Sequence, residues 1–299
     1  MTRFSRRTTL ARRTAMTAAL AAASASLVSA GAGSALGAGG SGQNSVSRYV
    51  ALGDSYASGA GLAQRTDAAC QKSSLGYPSL LAKAYKSAKF KNVTCSGATT
   101  RSLWNKQGTA APQLNALTKD TDLITVSLGG NDLRFADVLR QCVIAGLADR
   151  QGSPCRDQLN AGGADQLAQR MAKLAPRIGS MLVDIDRRSP NARVVVVGYP
   201  ALFPSKGDSC GSSVPLAKGD VTYLDSTTKK LNAMLAQQAR KGGAVYVDTY
   251  TVSTGQDMCQ PEGTRWTNPL LPVTEGSAHP NFLGHLFMGN RVFEALKKA

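Results

Sequence analysis

Only two histidines occur in the 299-residue chain, His279 and His285. Any reaction that needs an imidazole base must use one of them, and a metal centre built from several histidines has almost no residues to draw on. A serine hydroxyl attacks an acyl carbon only with a base beside it and with N–H donors placed for the oxyanion that forms. Three short segments carry groups of that kind: Gly53-Asp54-Ser55-Tyr56, Cys95-Ser96-Gly97 and Gly129-Gly130-Asn131-Asp132. Ser55 is the candidate nucleophile. Gly97 offers a main-chain N–H with no side chain in the way, and Asn131 offers a carboxamide NH₂. Asp54, although adjacent to Ser55, is read as fixing the turn rather than relaying protons.

The two histidines differ in local context. His279 stands in Ser277-Ala278-His279-Pro280. A proline disfavours helical backbone at the residue before it and suits the first position of a helix, so His279 is expected on a loop end. His285 falls inside the helix that follows, among Phe282, Leu286 and Phe287, where a packing role is the ordinary one. Loops carry catalytic groups more often than helix interiors, so His279 is the expected base.

The elements that must position these groups follow from the pattern of apolar residues. Continuous apolar runs, the mark of strands covered on both faces, occur at Tyr49–Leu52, Leu123–Leu128, Arg193–Val197 and Ala244–Val247, with a weaker candidate at Asn92–Cys95. Helical spacing appears over Pro78–Lys89, Asp165–Arg187, Val221–Arg240 and Phe282–Lys297. Pro176 is expected to kink or split the second of these. Strands alternating with helices predict a parallel sheet with helices on both faces, and the polar turns then gather at the C-terminal ends of the strands. The chain shows no internal repeat and reads as a single domain over residues 47–299. Its one long aperiodic segment, Tyr250–Ala278, carries Trp266, Leu270 and Leu271, which are read as lining a pocket, with packing under a disulfide-tied loop as the alternative.

A second serine motif competes. Gly207-Asp208-Ser209-Cys210-Gly211 matches G-x-S-x-G, but that elbow needs a strand before it and a helix after it. Here Pro200, Pro204 and Pro215 surround it, and it is set aside.

Residues 1–30 read as an export signal. Arg3, Arg6, Arg7, Arg12 and Arg13 precede an Ala/Ser-rich apolar stretch with a cleavage-like Val28-Ser29-Ala30 and a second candidate at Leu36-Gly37-Ala38. Ser5-Arg6-Arg7-Thr8-Thr9-Leu10 resembles a twin-arginine signal, and both export routes stay open. Residues 31–46 read as a flexible lead-in, and no later segment is long and apolar enough to anchor the chain. The expected location is therefore extracellular. Six cysteines (Cys70, Cys95, Cys142, Cys155, Cys210, Cys259) in an exported chain predict three disulfides. Of 15 connectivities, sequential pairing is the simplest. Loss of the five leader arginines lowers the formal net charge from +16 to +11, which favours anionic surfaces or simply solubility. Apart from Lys83, Lys86, Lys89 and Lys91, the basic residues are scattered with few aromatics between them, so a nucleic-acid partner is not expected. No dinucleotide or phosphate-binding fingerprint follows a strand, and no cofactor or metal is implied.

Gly53-Asp54-Ser55, Gly97, Gly130-Asn131-Asp132 and His279-Pro280, in that order, resemble the four blocks of the SGNH (GDSL-type) hydrolases. The variant Gly-Asp-Ser-Tyr-Ala-Ser-Gly with six cysteines is similar to the secreted actinobacterial lipases and esterases of that family. The resemblance spans about residues 47–298. It implies a flavodoxin-like three-layer α/β/α sandwich with a mostly parallel sheet, and ester hydrolysis with Ser55 as nucleophile and His279 as base. The oxyanion hole it implies consists of the Ser55 and Gly97 N–H groups and the Asn131 side chain. Many members carry an aspartate three residues before the histidine, and here that position is Gly276. The expectation is a Ser–His dyad whose imidazole is oriented by a main-chain carbonyl near Gly276–Ser277, with Glu275 as the rival acid. A monomer acting on an ester substrate, with a lipid interface as one setting, is expected. A polysaccharide acetyl esterase and a non-catalytic secreted binding protein are the alternatives. A paired-carboxylate glycosidase has no motif to support it.

Overall fold

The computed structural model describes residues 46–86, 89–205 and 210–298. The expected export signal, all but the last residue of the expected lead-in, and Gly207–Ser209 of the second serine motif lie outside the described residues. In chain order the elements are β1 (Arg48–Gly53), α1 (Ser55–Ser58), β2 (Arg65–Asp67), β3 (Lys72–Ser73), α2 (Tyr77–Ala84), β4 (Lys89–Asn92), β5 (Leu123–Ser127), α3 (Phe135–Ala148), α4 (Pro154–Asn160), α5 (Gln166–Arg188), β6 (Arg193–Val197), α6 (Lys218–Lys241), β7 (Val245–Val247) and α7 (Phe282–Lys298).

The central sheet runs β4-β1-β5-β6-β7 with every neighbouring pair parallel, while β2 and β3 form a small antiparallel ribbon. Counted in chain order within the sheet this is 2-1-3-4-5, the flavodoxin-like order, whose direction reverses between β1 and β5. Successive side chains of a strand point to opposite faces, and the strands divide accordingly. Tyr49, Ala51, Leu123, Val195 and Val197 pack with Tyr77, Leu81, Met288 and Val292 of α2 and α7. Val50, Leu52, Ile124, Val126 and Val196 pack with α3 to α6, through residues such as Leu139, Leu159, Ile178 and Leu224. The result is three layers, helix on sheet on helix.

Several boundaries depart from the sequence reading. The helix expected over Pro78–Lys89 stops at Ala84, because Tyr85 leaves the helical region (φ −105°, ψ 66°). Lys89 instead opens the edge strand β4, which lies just before the expected Asn92–Cys95 and pairs with β1 from Arg48↔Lys89 to Ala51↔Asn92. The ladder trails on through the Val93 and Cys95 N–H groups to the Ala51 and Gly53 carbonyls. Pro176 does not split α5, which runs unbroken for 23 residues behind an Asp165 cap that accepts from the Leu167 and Ala168 N–H groups. Helices α3 and α4 were not anticipated. The outward side of α3 carries Ile144 and Leu147, and these blur the one-sided periodicity by which a helix is recognised.

The cysteines pair sequentially, Cys70–Cys95, Cys142–Cys155 and Cys210–Cys259. The first ties the β1-side loop to the turn bearing Gly97, and the second ties α3 to α4. Among the described residues no helix is long and apolar enough to cross a membrane.

Candidate active site

The reversal between β1 and β5 creates a crevice at the C-terminal edge of the sheet, where open α/β sheets bind ligands. Ser55 leaves β1 and Asn131 leaves β5, and both line one cavity there with His279. β1 and β5 are in register to their ends (Gly53↔Ser127). The Asp54 N–H continues the pairing to the Ser127 carbonyl at 2.9 Å. Beyond β1 the chain turns at once into α1, with Asp54 as its N-cap: Oδ1 accepts from the Tyr56 N–H at 2.9 Å. That places Ser55 at the first helical position, where its N–H has no helical acceptor.

Asp54 is buried, and its Oδ2 accepts from the Tyr199 hydroxyl at 2.6 Å. The same hydroxyl accepts from the Gly130 N–H at 2.8 Å. One phenol therefore ties the turn after β1 to the turn after β5, from its own place just beyond β6. Burial pushes the Asp54 carboxyl up to about 7, against the lowering effect of the Tyr199 and Tyr56 hydrogen bonds. Gln113 adds a second brace: its Oε1 accepts from the Gly53 N–H (2.8 Å) and its Nε2 donates to the Gly53 carbonyl (2.9 Å).

Gly97 adopts a left-handed conformation (φ 79°), which glycine tolerates freely. Among the described residues neither the Ser55 nor the Gly97 N–H has an acceptor. The Asn131 carboxamide donates one N–H to the Ala98 carbonyl at 2.9 Å, leaving the other unspent. Asp132 accepts from the Thr100 N–H (2.9 Å) and hydroxyl and so holds the loop that carries Gly97. Gly97 itself is exposed and is not among the residues lining the cavity.

The His279 Nδ1 lies 2.9 Å from the Ser277 carbonyl. A carbonyl can only accept, so Nδ1 carries the proton and Nε2 keeps its lone pair. The imidazole pKa is lowered by burial, partly offset by that carbonyl, and the ring is neutral near pH 7. No hydrogen bond joins Ser55 Oγ to Nε2 in this structure, a gap common in the absence of substrate. Glu275 is exposed and turned away, paired with Arg65. Gly276 accepts from the His279 N–H (3.0 Å) and from Asn268 Nδ2 (3.1 Å). A Cβ on Gly61 would sit 2.2 Å from the Gly276 Cα, so the loop after α1 and the loop before His279 meet backbone to backbone.

His285 is wholly buried in α7 and takes no part in the cavity. Of the aromatic and apolar residues expected to line a pocket, Leu270 and Leu271 do so. Trp266 does not, because its ring packs on Phe287 of α7 with centroids 4.4 Å apart. The residues that sequence reasoning missed are Tyr56, Gln113, Tyr199 and Asn268. Tyr199 carried a usable signal, since it follows β6 at the same sheet edge as the other polar turns. The cavity measures about 380 Å³ and is walled mainly by apolar side chains from the turn after β5, α3, α6 and the loop before α7, including Leu133, Leu139, Val143, Leu231 and Leu270. Among the described residues no cluster of three or more His, Cys, Asp or Glu is placed to hold a metal.

Comparison with known proteins agrees with this geometry. The model of the GDSL-like lipase/acylhydrolase family matches residues 51–286. The chain is 38% identical to Lipase 2 of Streptomyces coelicolor over 260 residues, covering 83% of this chain and 85% of that one. It is 32% identical to a lipase of Streptomyces rimosus, covering 79% and 81%. Among solved structures, the extracellular lipase of Streptomyces rimosus superposes with a TM-score of 0.71 at 29% identity, over 83% of this chain and 99% of that one. Phospholipase A1 of Streptomyces albidoflavus superposes with a TM-score of 0.70, also at 29% identity, over 85% and 99%. The chain is thus an ester hydrolase, and it belongs to the GDSL-like lipase/acylhydrolase family.

Proposed function

We propose that the protein is an exported lipid acyl-ester hydrolase working through a Ser55–His279 dyad. One observation carries the reading: Ser55, Asn131 and His279 lie together in a cavity whose remaining walls are mostly hydrocarbon. Such a space accepts an acyl chain and offers a sugar hydroxyl few partners, which disfavours the polysaccharide alternative. The phospholipase A1 among the solved relatives supports the same substrate class.

In this mechanism His279 Nε2 takes the proton from Ser55 Oγ as the hydroxyl attacks the ester carbonyl. The new C–O bond moves the carbonyl electron pair onto oxygen. The free N–H groups of Ser55 and Gly97 and the second N–H of Asn131 stabilise that charge. The imidazolium returns its proton to the leaving alkoxide, and water repeats the cycle on the acyl-enzyme. The Ser277 carbonyl keeps Nδ1 protonated, a role a carboxylate fills in a triad. Asp54 and Tyr199 hold the nucleophile and oxyanion turns together.

A series of p-nitrophenyl esters from acetyl to palmitoyl tests this. Activity is expected to peak at medium or long chains and to be abolished in Ser55→Ala. Asn131→Ala should lose about 10²–10³-fold in rate. Preferential turnover of acetylated xylan, with no gain from chain length, would replace this reading with the carbohydrate one.

A further inference from the structure

The cavity opens onto an unusual piece of surface. Ile144 on α3 and Val273 in the loop before α7 both line it, yet they are 65% and 81% exposed. Leu271, also a lining residue, is exposed, and Leu147 stands 69% exposed one turn beyond Ile144. Large apolar side chains scattered singly over a surface need no explanation, but three exposed ones lining a single hydrocarbon-walled cavity do.

Fraying does not account for it. Behind the exposed side chains α3 is pinned by the Cys142–Cys155 disulfide and by Val138, Leu139 and Ala145, all buried. A Cβ on Gly146 would sit 2.9 Å from the Ala217 backbone N, so the helix seats closely on the chain beneath it. The outward side of this fixed helix reads Arg140, Ile144, Leu147, at i, i+4 and i+7: a cation followed by two hydrocarbon groups. Arg140 also lines the cavity; its side chain is 78% exposed and only loosely paired, 3.7 Å from the exposed Asp137 carboxylate one turn back.

We propose that this rim is a lipid-docking surface for anionic bilayers or micelles, resting on the lipid acyl-ester reading above. Long acyl esters occur in water as aggregates, so their acyl chains reach the cavity only from an interface. Exposed Ile144, Leu147, Leu271 and Val273 then leave water for the acyl boundary, bringing the cavity mouth flush with the lipid. Arg140 at the edge of the patch exchanges its loose pairing with Asp137 for a headgroup phosphate, and the 30 basic against 19 acidic residues left once the five leader arginines are removed favour an anionic leaflet. Because Ile144, Leu271 and Val273 also line the cavity, an acyl chain passes from bilayer to Ser55 without crossing water.

Co-sedimentation of the intact protein with vesicles of ether-linked phospholipid, which offer no ester to cleave, tests this separately from catalysis. Binding to phosphatidylglycerol vesicles is expected, with phosphatidylcholine weaker by about tenfold. Leu147→Asp should weaken phosphatidylglycerol binding about tenfold while leaving hydrolysis of soluble p-nitrophenyl acetate unchanged. Arg140→Gln should lower phosphatidylglycerol binding about fivefold. The proposal is overturned if the protein stays in the supernatant with phosphatidylglycerol, if both vesicle types bind equally, or if Leu147→Asp binds like the native chain. It is also overturned if sedimentation without lipid finds a dimer that Leu147→Asp dissociates, which assigns the rim to a second copy of the chain. The esterase reading fails separately, if Ser55→Ala retains p-nitrophenyl acetate hydrolysis.

Discussion

His279 and His285 stand six residues apart on either side of one helix start, and their surroundings give them opposite jobs. At His279, which lines the cavity, a carbonyl faces Nδ1 and fixes the proton there, which leaves the Nε2 lone pair free for the base role proposed above. At His285 a main-chain N–H, that of Tyr77, donates to Nδ1 at 3.1 Å. That contact forces the proton onto Nε2, which is buried with no partner among the described residues. Tyr77 is the first residue of α2, and its N-cap Gly76 has no side chain to offer a cap. His285 therefore supplies from α7 the acceptor that α2 lacks, and ties the two helices covering one face of the sheet. The difference teaches that the tautomer, and with it the role, is set by whether the first neighbour of the ring is an acceptor or a donor.

The largest way to break this comparison is to remove each ring in turn. His279→Ala should lower kcat about 10³–10⁴-fold with the melting temperature little changed. A smaller loss would mean that another group takes the Ser55 proton. His285→Leu should keep activity within about twofold and lose about 1–3 kcal/mol in urea denaturation at pH 7, because the buried Tyr77 N–H is left unpaired.

The two rings also separate by pH. Burial pushes the His285 pKa down to about 3. Below its ordinary value near 6.5 the unfolded chain takes up a proton that the folded chain refuses, so the folded state loses stability as pH falls. At pH 5 that amounts to about 2 kcal/mol, a loss the His285→Leu variant does not suffer, so its deficit should narrow by about that amount between pH 7 and pH 5. The native curve alone hides this, because Asp54 acts with the opposite sign. Its carboxyl, raised to about 7, keeps in the folded state a proton that the unfolded chain has lost above about 4, and stability from it is gained on acidification. For His279 the readout is kinetic. Its lowered pKa places the acid limb of kcat/KM below 6.5, since the protonated ring cannot accept from Ser55. A limb near 7 that disappears in Asp54→Asn would belong to Asp54 instead.

The contrast between these histidines was legible in the sequence because both contexts are local: Pro280 after one, an apolar helix around the other. The same holds for Ser55, Gly97 and Asn131, which stand in short turns directly after strands or strand-like runs. What escaped is what joins those turns. The Tyr199–Asp54 contact spans 145 positions and Gln113–Gly53 spans 60, and no periodicity or spacing encodes a pairing that only the folded sheet edge creates. Trp266 was misplaced for a related reason. In an aperiodic loop, composition does not reveal whether a ring faces the cavity or a neighbouring helix, and here Phe287 holds it. Helix α3 was obscured by its own exposed Ile144 and Leu147, so the surface proposed to dock lipid is also what hid the element.

The smallest effect probes how firmly His279 is held. The Tyr56 hydroxyl donates to the Ala278 carbonyl at 2.5 Å, and the Tyr56 and His279 rings lie against each other with centroids 5.2 Å apart. Ala278 adopts φ 61°, a conformation that residues with a Cβ seldom take and that the surroundings must stabilise. Tyr56→Phe keeps the ring contact and removes only the hydroxyl, at a cost of about 0.5–1.5 kcal/mol in stability. If that bond also aims the imidazole, kcat should fall by roughly two- to tenfold, the same 0.5–1.5 kcal/mol expressed as rate. KM for a short soluble ester should stay the same, because the cavity keeps the Tyr56 ring and the hydroxyl removed is already spent on the Ala278 carbonyl. His285 offers the control, since its ring is held by the N-terminus of α2 and not by this bond. A loss of stability in Tyr56→Phe with kcat intact would show that the Ser277 carbonyl alone suffices to aim His279, just as the Tyr77 N–H alone fixes the tautomer of His285.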